Sequence, residues 1–236
     1  MSDGARRGFR PTLWPTVTTA VFLVILVLLG NWQVRRLAWK TALLHEIAEH
    51  MAAPPAPFPD IVQNPEDWAY RRVTATGVFD YAHEMYLFAP GPKGGTGYQV
   101  IVPLKRTDKP AVLVNRGWVP TSLKDPATRM AGQISGEVTV TGLIRGSGRA
   151  NIFSPANQPD QDIWYIRDIP SMVRHLGFAV APRMIDADAT PNPGGWPVGG
   201  QTIIDIPNNH LDYALTWYGL ALVLLVIYVV YHWRRR

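Results

Sequence analysis

The chain of 236 residues contains no cysteine. Without thiols it cannot form a disulfide framework, a thiolate nucleophile or a C-x-x-C redox pair. A thiolate copper site and a covalent C-x-x-C-H haem site are excluded for the same reason. Several oxidoreductase roles that are common on the outer face of a membrane are thereby removed.

The motifs of hydrolytic enzymes are also missing. There is no Gly-x-Ser-x-Gly elbow, no His-Glu-x-x-His pair and no phosphate-binding glycine loop. Ser154, Asp160 and Asp162 share a loop, but nothing marks a general base beside them. His45 and His50 are five residues apart, which is a poor helical spacing for joint metal binding. The sequence therefore predicts a protein that is not an enzyme.

A concentrated basic face is the third absence. The formal net charge is +5, yet residues 41–210 hold 14 Lys or Arg against 16 Asp or Glu. The basic surplus lies at the two ends of the chain, whereas a nucleic-acid-binding domain carries it on one face. We therefore expect no nucleic-acid partner.

Two long apolar runs are present, Leu13–Gly30 and Leu211–Tyr231. Roughly 20 apolar residues of helix are needed to cross a bilayer, so both runs are candidate membrane spans. The predicted organisation is an N-terminus (1–12), a first span (13–33), a helical extension (34–53), a β-rich domain (54–209), a second span (210–231) and a basic tail (232–236). Membrane lipid is then an expected partner.

The charges beside these runs predict the orientation. The charges beside the first run are balanced, with Arg6, Arg7 and Arg10 before it and Arg35, Arg36 and Lys40 after it. The charges beside the second run are not balanced. Three arginines follow it, Arg234, Arg235 and Arg236, and no Lys or Arg occurs in residues 185–210 before it. Positive flanks remain cytoplasmic. We expect both termini in the cytoplasm and the domain in the periplasm. The first run is too long and lacks a small-x-small site for a cleaved signal, and too few residues precede it for a transit peptide, which favours a bacterial plasma (inner) membrane.

The central domain reads as mainly β. Alternating or β-branched segments bounded by Gly and Pro turns predict strands, namely Arg72–Asp80, Glu84–Phe88, Tyr98–Lys105, Ala111–Val119, Glu137–Ile144, Ile163–Arg167 and Val180–Ile185. Pro170–Leu176 is typical of a short helix. The predicted fold class is an α+β membrane protein, with two terminal helices around a mainly antiparallel barrel-like or sandwich domain. Residues 52–59 predict a stiff linker, and residues 192–200 a flexible loop.

His210 is the most informative polar residue. Asn209 and Asp212 have the spacing of a helix N-cap and its partner, which places His210 in the first turn of the second span. On that helix, His210 shares a face with Ala214, Trp217 and Ala221. Histidine is the usual protein ligand of haem iron. The competing interpretation is an interfacial polar residue.

Cationic and aromatic side chains at the end of the first span complete this candidate site. Arg35 and Arg36 are expected at a similar height to His210, where they could pair with propionates, or else with lipid phosphate. Trp32 flanks the same span. The predicted cofactor-binding set is therefore His210, Trp217, Arg35, Arg36 and Trp32, with His210 as the metal ligand.

Two further segments have alternative interpretations. Val114–Pro120 contains an Arg-Gly-Trp sequence, favoured as a structural corner in which Arg116 meets a carboxylate or carbonyl groups. Residues 153–170 form an aromatic-rich loop and strand that is either a partner-docking edge or core.

These residues, taken in order, resemble a known family, the Surfeit locus protein 1 assembly factors of cytochrome oxidase. The matching segments are Gly30–Gln33 with Arg36, Leu37, Trp39 and Lys40; Val114–Pro120; Gly142–Arg145; Phe153, Pro155, Asn157, Trp164, Tyr165 and Asp168; and Pro207–Leu211 with Tyr213, Ala214 and Trp217–Gly219. They span nearly the whole chain between the two apolar ends.

The resemblance implies a role in maturing haem-copper cytochrome c oxidase, with haem a bound transiently and passed to the catalytic subunit. It also implies that His210 is the favoured haem ligand, and it fits the expected lack of enzymatic activity. The expected partners are the oxidase catalytic subunit and haem a synthase. Two rival hypotheses are a haem-free scaffold that holds oxidase subunits during maturation and, with least support, an outer-face hydrolase.

Overall fold

The computed structural model describes residues 9, 11–60, 68–91, 94–202 and 207–234. The chain divides into two compact units. One unit contains residues 1–46 and 205–236, and the other contains residues 47–204. Arg6, Arg7, Arg10, Arg235 and Arg236, on which the predicted orientation depends, lie outside the described residues.

The first unit consists of two long helices, α1 (Leu13–Ala52) and α3 (His210–Arg234). Both are long and apolar enough to cross a membrane. Only 6% and 11% of the residues in their spanning windows are buried, whereas the core helix of a soluble protein is mostly buried. The structure therefore supports two candidate spans at the ends of the chain.

The bounds of both helices follow from local sequence. Pro15 is tolerated in the first turn of α1 because its missing N–H would have no helical acceptor there. Pro54 and Pro55 end the helix after its last residue, Ala52. The predicted span 13–33 and extension 34–53 lie in this one helix, and α3 continues three residues beyond the predicted end at 231.

Among the described residues, the second unit contains a sheet of eight strands, the end of α1 from residue 47 and one further α-helix. The strands are β1 (Ala56–Pro57), β2 (Arg72–Phe79), β3 (Met85–Pro90), β4 (Thr96–Arg106), β5 (Lys109–Pro120), β6 (Glu137–Arg145), β7 (Ile163–Trp164) and β8 (Val180–Ala187). The helix is α2 (Ile169–Leu176). Asp168 caps α2 by accepting the Ser171 N–H, and Gly177 ends it in the left-handed conformation.

Five of the strands form a closed ring in the order β2-β6-β8-β5-β4, because β2 also pairs with β4. The closing register joins Val78 to Lys105 and Phe79 to Leu104. Within the ring β5–β8 is the parallel pair, and the other four pairings are antiparallel. The predicted barrel-like, mainly antiparallel domain is confirmed, and the barrel is closed.

Alternation along the strands builds two cores. Successive strand side chains point to opposite faces of a sheet, so Val112 and Val114 enter the barrel interior while Leu113 faces outward. The outer cluster packs against α2 through Ile169 and Met172. Both cores therefore depend on the same central strands.

Three predictions about this unit need correction. The predicted strand Ile163–Arg167 stops at Trp164 because the Asn157 Oδ1 atom accepts the N–H groups of Tyr165 and Ile166 at 2.8 and 2.9 Å. The linker at 52–59 contributes the short strand β1, which was not predicted.

Residues 192–200 are tied to the barrel and are not a flexible loop. The backbone N–H of Trp118 donates to Val198 O, and that of Val198 donates to Trp118 O, both at 2.9 Å. The Asn192 Nδ2 atom donates to Pro197 O at 2.6 Å. The two hydrogen bonds between Trp118 and Val198 join this loop to a distant strand. The amino-acid composition of the loop does not predict them.

Candidate functional site

The two terminal helices pack antiparallel along one seam. On α3 the seam contains His210, Ala214, Ala221, Tyr228 and His232. They are spaced by four or seven residues, which keeps them on one side of a helix. Thr12 Oγ1 lies 3.2 Å from His232 Nε2, and Thr16 Oγ1 lies 2.8 Å from the Tyr228 hydroxyl. The pairing therefore extends over most of α3.

His210 lies at the other end of this seam, where its imidazole contacts Gln33. The His210 Nδ1 atom is 2.7 Å from Gln33 Oε1, and the Gln33 side chain is only 7% exposed. An amide oxygen accepts hydrogen bonds and cannot donate them, so the hydrogen bond in this contact is donated by Nδ1. In the neutral imidazole with that tautomer, Nε2 is the ring atom that has the lone pair. Within the described residues, no group is hydrogen-bonded to Nε2.

This arrangement is the one that metal-binding histidines usually have. A ligating imidazole commonly donates its second ring N–H to an oxygen acceptor, which fixes the tautomer and the ring orientation. Gln33 supplies that acceptor from the opposite helix. The sequence pattern pointed to His210 but gave no indication of Gln33 as its partner.

Close helix packing borders this contact. A Cβ built on Gly30 would lie 2.6 Å from the Tyr218 ring, so the backbone of α1 meets the ring directly. The Tyr218 hydroxyl donates to Asn31 Oδ1 at 2.7 Å. Asn31 and Tyr218 thus set the register of the two helices near His210.

Small residues and one indole lie beside His210 on α3. Ala214 and Ala221 are buried at 2% and 8% exposure. The Trp217 Nε1 atom is buried, and among the described residues it has no hydrogen-bond acceptor. The predicted face of His210, Ala214, Trp217 and Ala221 is therefore the face that packs on α1. A buried, unpaired N–H donor remains in it.

The structure separates the two predicted arginines. Arg35 is exposed and lies two residues after Gln33, which is more than half a turn from the seam at 3.6 residues per turn. It therefore faces away from the seam, and its place in the site stays a prediction. Arg36 lies beside the seam row, and its guanidinium stacks 4.4 Å from the centre of the Trp39 ring. Trp32 is 50% exposed on the same side as Arg36.

Another cation, which was not predicted as a site residue, contacts the segment before α3. Lys40 Nζ donates to the carbonyl oxygen of Pro207. The Asn208 Nδ2 atom lies 3.5 Å from Thr41 Oγ1, and Asn208 Oδ1 is buried with no partner among the described residues. These contacts hold the start of α3 against α1, and only the folded helix pair reveals them.

The chain is similar in sequence to proteins of a known family. The SURF1 family model matches residues 20–222. The chain belongs to the SURF1 family. It is 36% identical over 209 residues to human Surfeit locus protein 1, covering 82% of this chain and 69% of the human protein. A SURF1-like protein of Monosiga brevicollis is 37% identical over 220 residues, covering 85% of this chain and 81% of that protein.

The family match includes His210, Gln33 and the barrel. It ends at residue 222, before His232. His232 is fully buried. Its Nδ1 atom contacts Tyr228 O at 2.9 Å, and its ring packs 4.3 Å from the Tyr228 ring. Phe9 and Thr12, which precede α1, also contact its ring, and the local sequence does not show these contacts.

In the barrel of this SURF1 family member, Arg116 has the structural role that was favoured. Its Nη2 atom donates to Gly132 O at 2.8 Å and to Asn192 Oδ1 at 2.6 Å, and the residue is 3% exposed. Burial lowers the pKa of the Arg116 guanidinium. The hydrogen-bond acceptors of Arg116 Nη2 are therefore carbonyl oxygens. The sequence alone left open whether Arg116 meets a carboxylate or carbonyl groups.

The structure assigns the strand of the aromatic-rich segment to the core. Trp164 is fully buried in the outer core, whereas Ile152 and Phe153 are 92% and 85% exposed. The Asn151 Oδ1 atom accepts the Phe153 N–H at 2.8 Å, and this hydrogen bond holds the turn that carries Ile152 and Phe153. The strand is core, and the preceding loop presents two apolar side chains.

Proposed function

We propose that this protein is an assembly factor for haem-copper cytochrome c oxidase that binds haem a as cargo and aids its insertion into the catalytic subunit. The single observation that carries the proposal is the His210–Gln33 contact of 2.7 Å, because a ligating histidine usually has such an oxygen partner on its other ring nitrogen. In the proposed complex, Nε2 binds the iron. Membership of the SURF1 family supports the assembly role. The role is that of a carrier and not of an enzyme.

The chemistry around His210 fits an amphipathic porphyrin with an apolar tail. The exposed apolar surface of α1 and α3 suits the tail in lipid. Arg36 and Lys40 supply cations for propionates on the α1 side, and the buried Trp217 N–H offers a further donor. Since Gly30 meets Tyr218 directly, we place the cargo beside the seam and not between the two helices.

The proposed location is the bacterial plasma (inner) membrane, with both termini cytoplasmic and the barrel periplasmic. The charge asymmetry of the chain ends supports this orientation. In the periplasm the barrel would dock the nascent catalytic subunit or haem a synthase, which we propose as its protein partners.

The test is the absorption spectrum of protein purified from cells that make haem a. We expect a haem spectrum that His210→Ala abolishes and that Gln33→Leu weakens, because Leu cannot hold the imidazole in its orientation. A group that hydrogen-bonds to a metal ligand typically contributes about 10–100-fold to the affinity for the metal. His45→Gln, an exposed position on α1, is the control and should retain haem. Unchanged haem content in His210→Ala would refute the ligand assignment.

A second candidate function is a haem-free scaffold that holds oxidase subunits during maturation. The exposed pair Ile152 and Phe153, on a turn held by Asn151, favours protein docking. This scaffold would co-purify with the oxidase while remaining haem-free in every strain. Loss of co-purification in Ile152→Ser/Phe153→Ser, with haem content unchanged, would show that docking and haem binding are separate properties of one carrier.

A further inference from the structure

The barrel unit contains a cationic cavity, and no residue of the proposed haem site lines it. Its volume is about 160 Å³, and it opens between Trp68–Tyr70, the end of β6 and two arginines, Arg167 and Arg183. Arg145, the last residue of β6, also lines it. Three guanidinium groups therefore border one small cavity.

One buried carboxylate serves these cations among the described residues. Asp186 is 4% exposed, and its Oδ2 atom lies 3.9 Å from Arg145 Nη1 and 3.6 Å from Arg167 Nη2. Both distances exceed that of a hydrogen bond. The Asp186 oxygens are already used at shorter range by Asn115 Nδ2 at 3.0 Å and by the Thr202 hydroxyl at 2.9 Å. Asp186 is therefore the shared counter-ion of Arg145 and Arg167, and its oxygens already accept hydrogen bonds from Asn115 and Thr202.

Arg167 has donor capacity that the fold leaves unused. Its Nε atom is buried, and among the described residues it has no hydrogen-bond partner. Burial lowers the pKa of Arg167, against the opposing effect of Asp186. Buried cations that lack full compensation are costly unless a ligand supplies the missing charge.

Gly146 brings the third arginine into the cluster. A Cβ at this position would overlap the Arg183 guanidinium, so the absence of a side chain allows Arg183 to lie against the backbone of residue 146. Among the described residues, three arginines and one aspartate leave a surplus of two positive charges at this cavity. That surplus equals the charge of a phosphate dianion, whose oxygens fit the guanidinium fork.

We propose that this cavity is a binding site for a phosphate-type oxyanion, contacted by Arg145, Arg167 and Arg183. A phosphate-type oxyanion is offered by a free phosphate ion and, as a phosphodiester with one negative charge, by a phospholipid headgroup. The site is independent of the haem proposal, because all of its residues belong to the barrel unit and none contributes to the His210 contact.

Calorimetric titration of the full-length protein with inorganic phosphate tests the site, in an uncharged detergent and at constant ionic strength. We expect saturable binding that Arg183→Gln weakens by about tenfold or more, because charge-assisted hydrogen bonds are lost. Arg174→Gln removes the same charge at an exposed position of α2 and should bind phosphate normally. Arg167→Lys keeps the charge but loses the fork, and should also bind more weakly.

Hydrogen exchange provides a readout for variants that fold less well. Phosphate should slow exchange over residues 144–148 in the wild-type protein and not in Arg183→Gln. Competition by short-chain phosphatidylglycerol, but not by phosphatidylcholine, would identify a lipid headgroup as the source, and a lack of competition would identify the free ion.

Two outcomes would overturn the proposal. One is that phosphate fails to bind, or binds equally to Arg183→Gln and the wild-type protein. The other concerns Glu66 and Asp67, which lie outside the described residues. If phosphate binds only after Glu66→Gln/Asp67→Asn, the chain's own carboxylates already neutralise the arginines. Haem content of Arg183→Gln is expected to match that of the wild-type protein, which separates this test from that of the proposed function.

Discussion

At the scale of single residues, His210 and Gln33 differ in how visible they are in the sequence. An ionisable side chain at the start of an apolar helix is costly and therefore conspicuous, which is why His210 could be selected. One glutamine after an apolar run has no such signature. Gln33 can be recognised as a candidate site residue only in the folded protein, where the His210 imidazole of α3 lies 2.7 Å from its amide oxygen.

Gly117 is a residue whose replacement should damage the barrel. Its φ is +127°, and a Cβ would overlap the Val198 carbonyl group. We expect Gly117→Ala to lower the free energy of unfolding by about 2–4 kcal/mol, since backbone strain and overpacking add. Urea unfolding followed by circular dichroism measures this loss.

Gly136 provides the matched control for this substitution. Its φ is +84°, but a Cβ there meets nothing within 4 Å. Gly136→Ala should therefore show only the backbone contribution, about 1–2 kcal/mol. Equal losses in the two variants would show that the Val198 contact is unimportant.

The carboxyl group of Asp80 should make stability depend on pH. Partial burial raises the pKa of Asp80, but hydrogen bonds from Lys105 and His83 outweigh burial and hold it below the ordinary value of 3.8. Because the folded pKa is lowered, this stabilisation is complete above the unfolded pKa and is lost as the pH falls through the folded one.

We therefore expect the Tm of the wild-type protein to fall more steeply than that of Asp80→Asn between about pH 5 and pH 2. Thermal unfolding followed by circular dichroism is the measurement. Parallel curves for the two proteins would contradict a lowered pKa in the folded state.

At the scale of helices and strands, local periodicity predicted element type better than element length. Alternation identified strands such as β2 and β6 because each has one face in the barrel core. The segment after Trp164 has a similar composition but is not a strand, since Asn157 takes its backbone donors. A side chain elsewhere in the loop decides where β7 ends.

The pairing of α1 with α3 should depend on Gly30. Gly30→Leu should separate the helices, because the Tyr218 ring occupies the space that the new side chain needs. Since the chain has no cysteine, Thr16→Cys/Tyr228→Cys can be cross-linked by a short bismaleimide. We expect Gly30→Leu to reduce this cross-linking several-fold.

Gly219 is the control for this helix pairing. A Cβ built on it meets nothing within 4 Å, so Gly219→Leu adds the same apolar side chain outside the seam. Cross-linking in Gly219→Leu should equal that of the parent pair. A similar reduction in both variants would mean that added bulk, and not the Gly30–Tyr218 contact, is responsible.

At the scale of the whole molecule, two apolar helices and a closed barrel form two compact units joined within one chain. The spans could be predicted because their length and composition are local properties. Closure of the barrel could not, because the β2–β4 pairing joins residues 78–79 to 104–105 and depends on sheet twist and register.

The proposed topology can be tested with single cysteines in this cysteine-free chain. Ile152→Cys, at a position 92% exposed in the barrel unit, should react with a membrane-impermeant maleimide in intact spheroplasts. Trp233→Cys, at the end of α3, should react only after lysis. The unsubstituted protein gives the background, and labelling of Trp233→Cys in intact spheroplasts would invalidate the proposed orientation.

Local order along the chain was sufficient to establish the terminal helices, most of the strands, the position of His210 and the family resemblance, because each depends on residues that are neighbours in sequence. The partner of His210, the burial of His232 and the arginine cluster at Asp186 were decided by tertiary structure. These contacts join segments far apart in the chain, and their geometry depends on how whole elements pack, which no local pattern records.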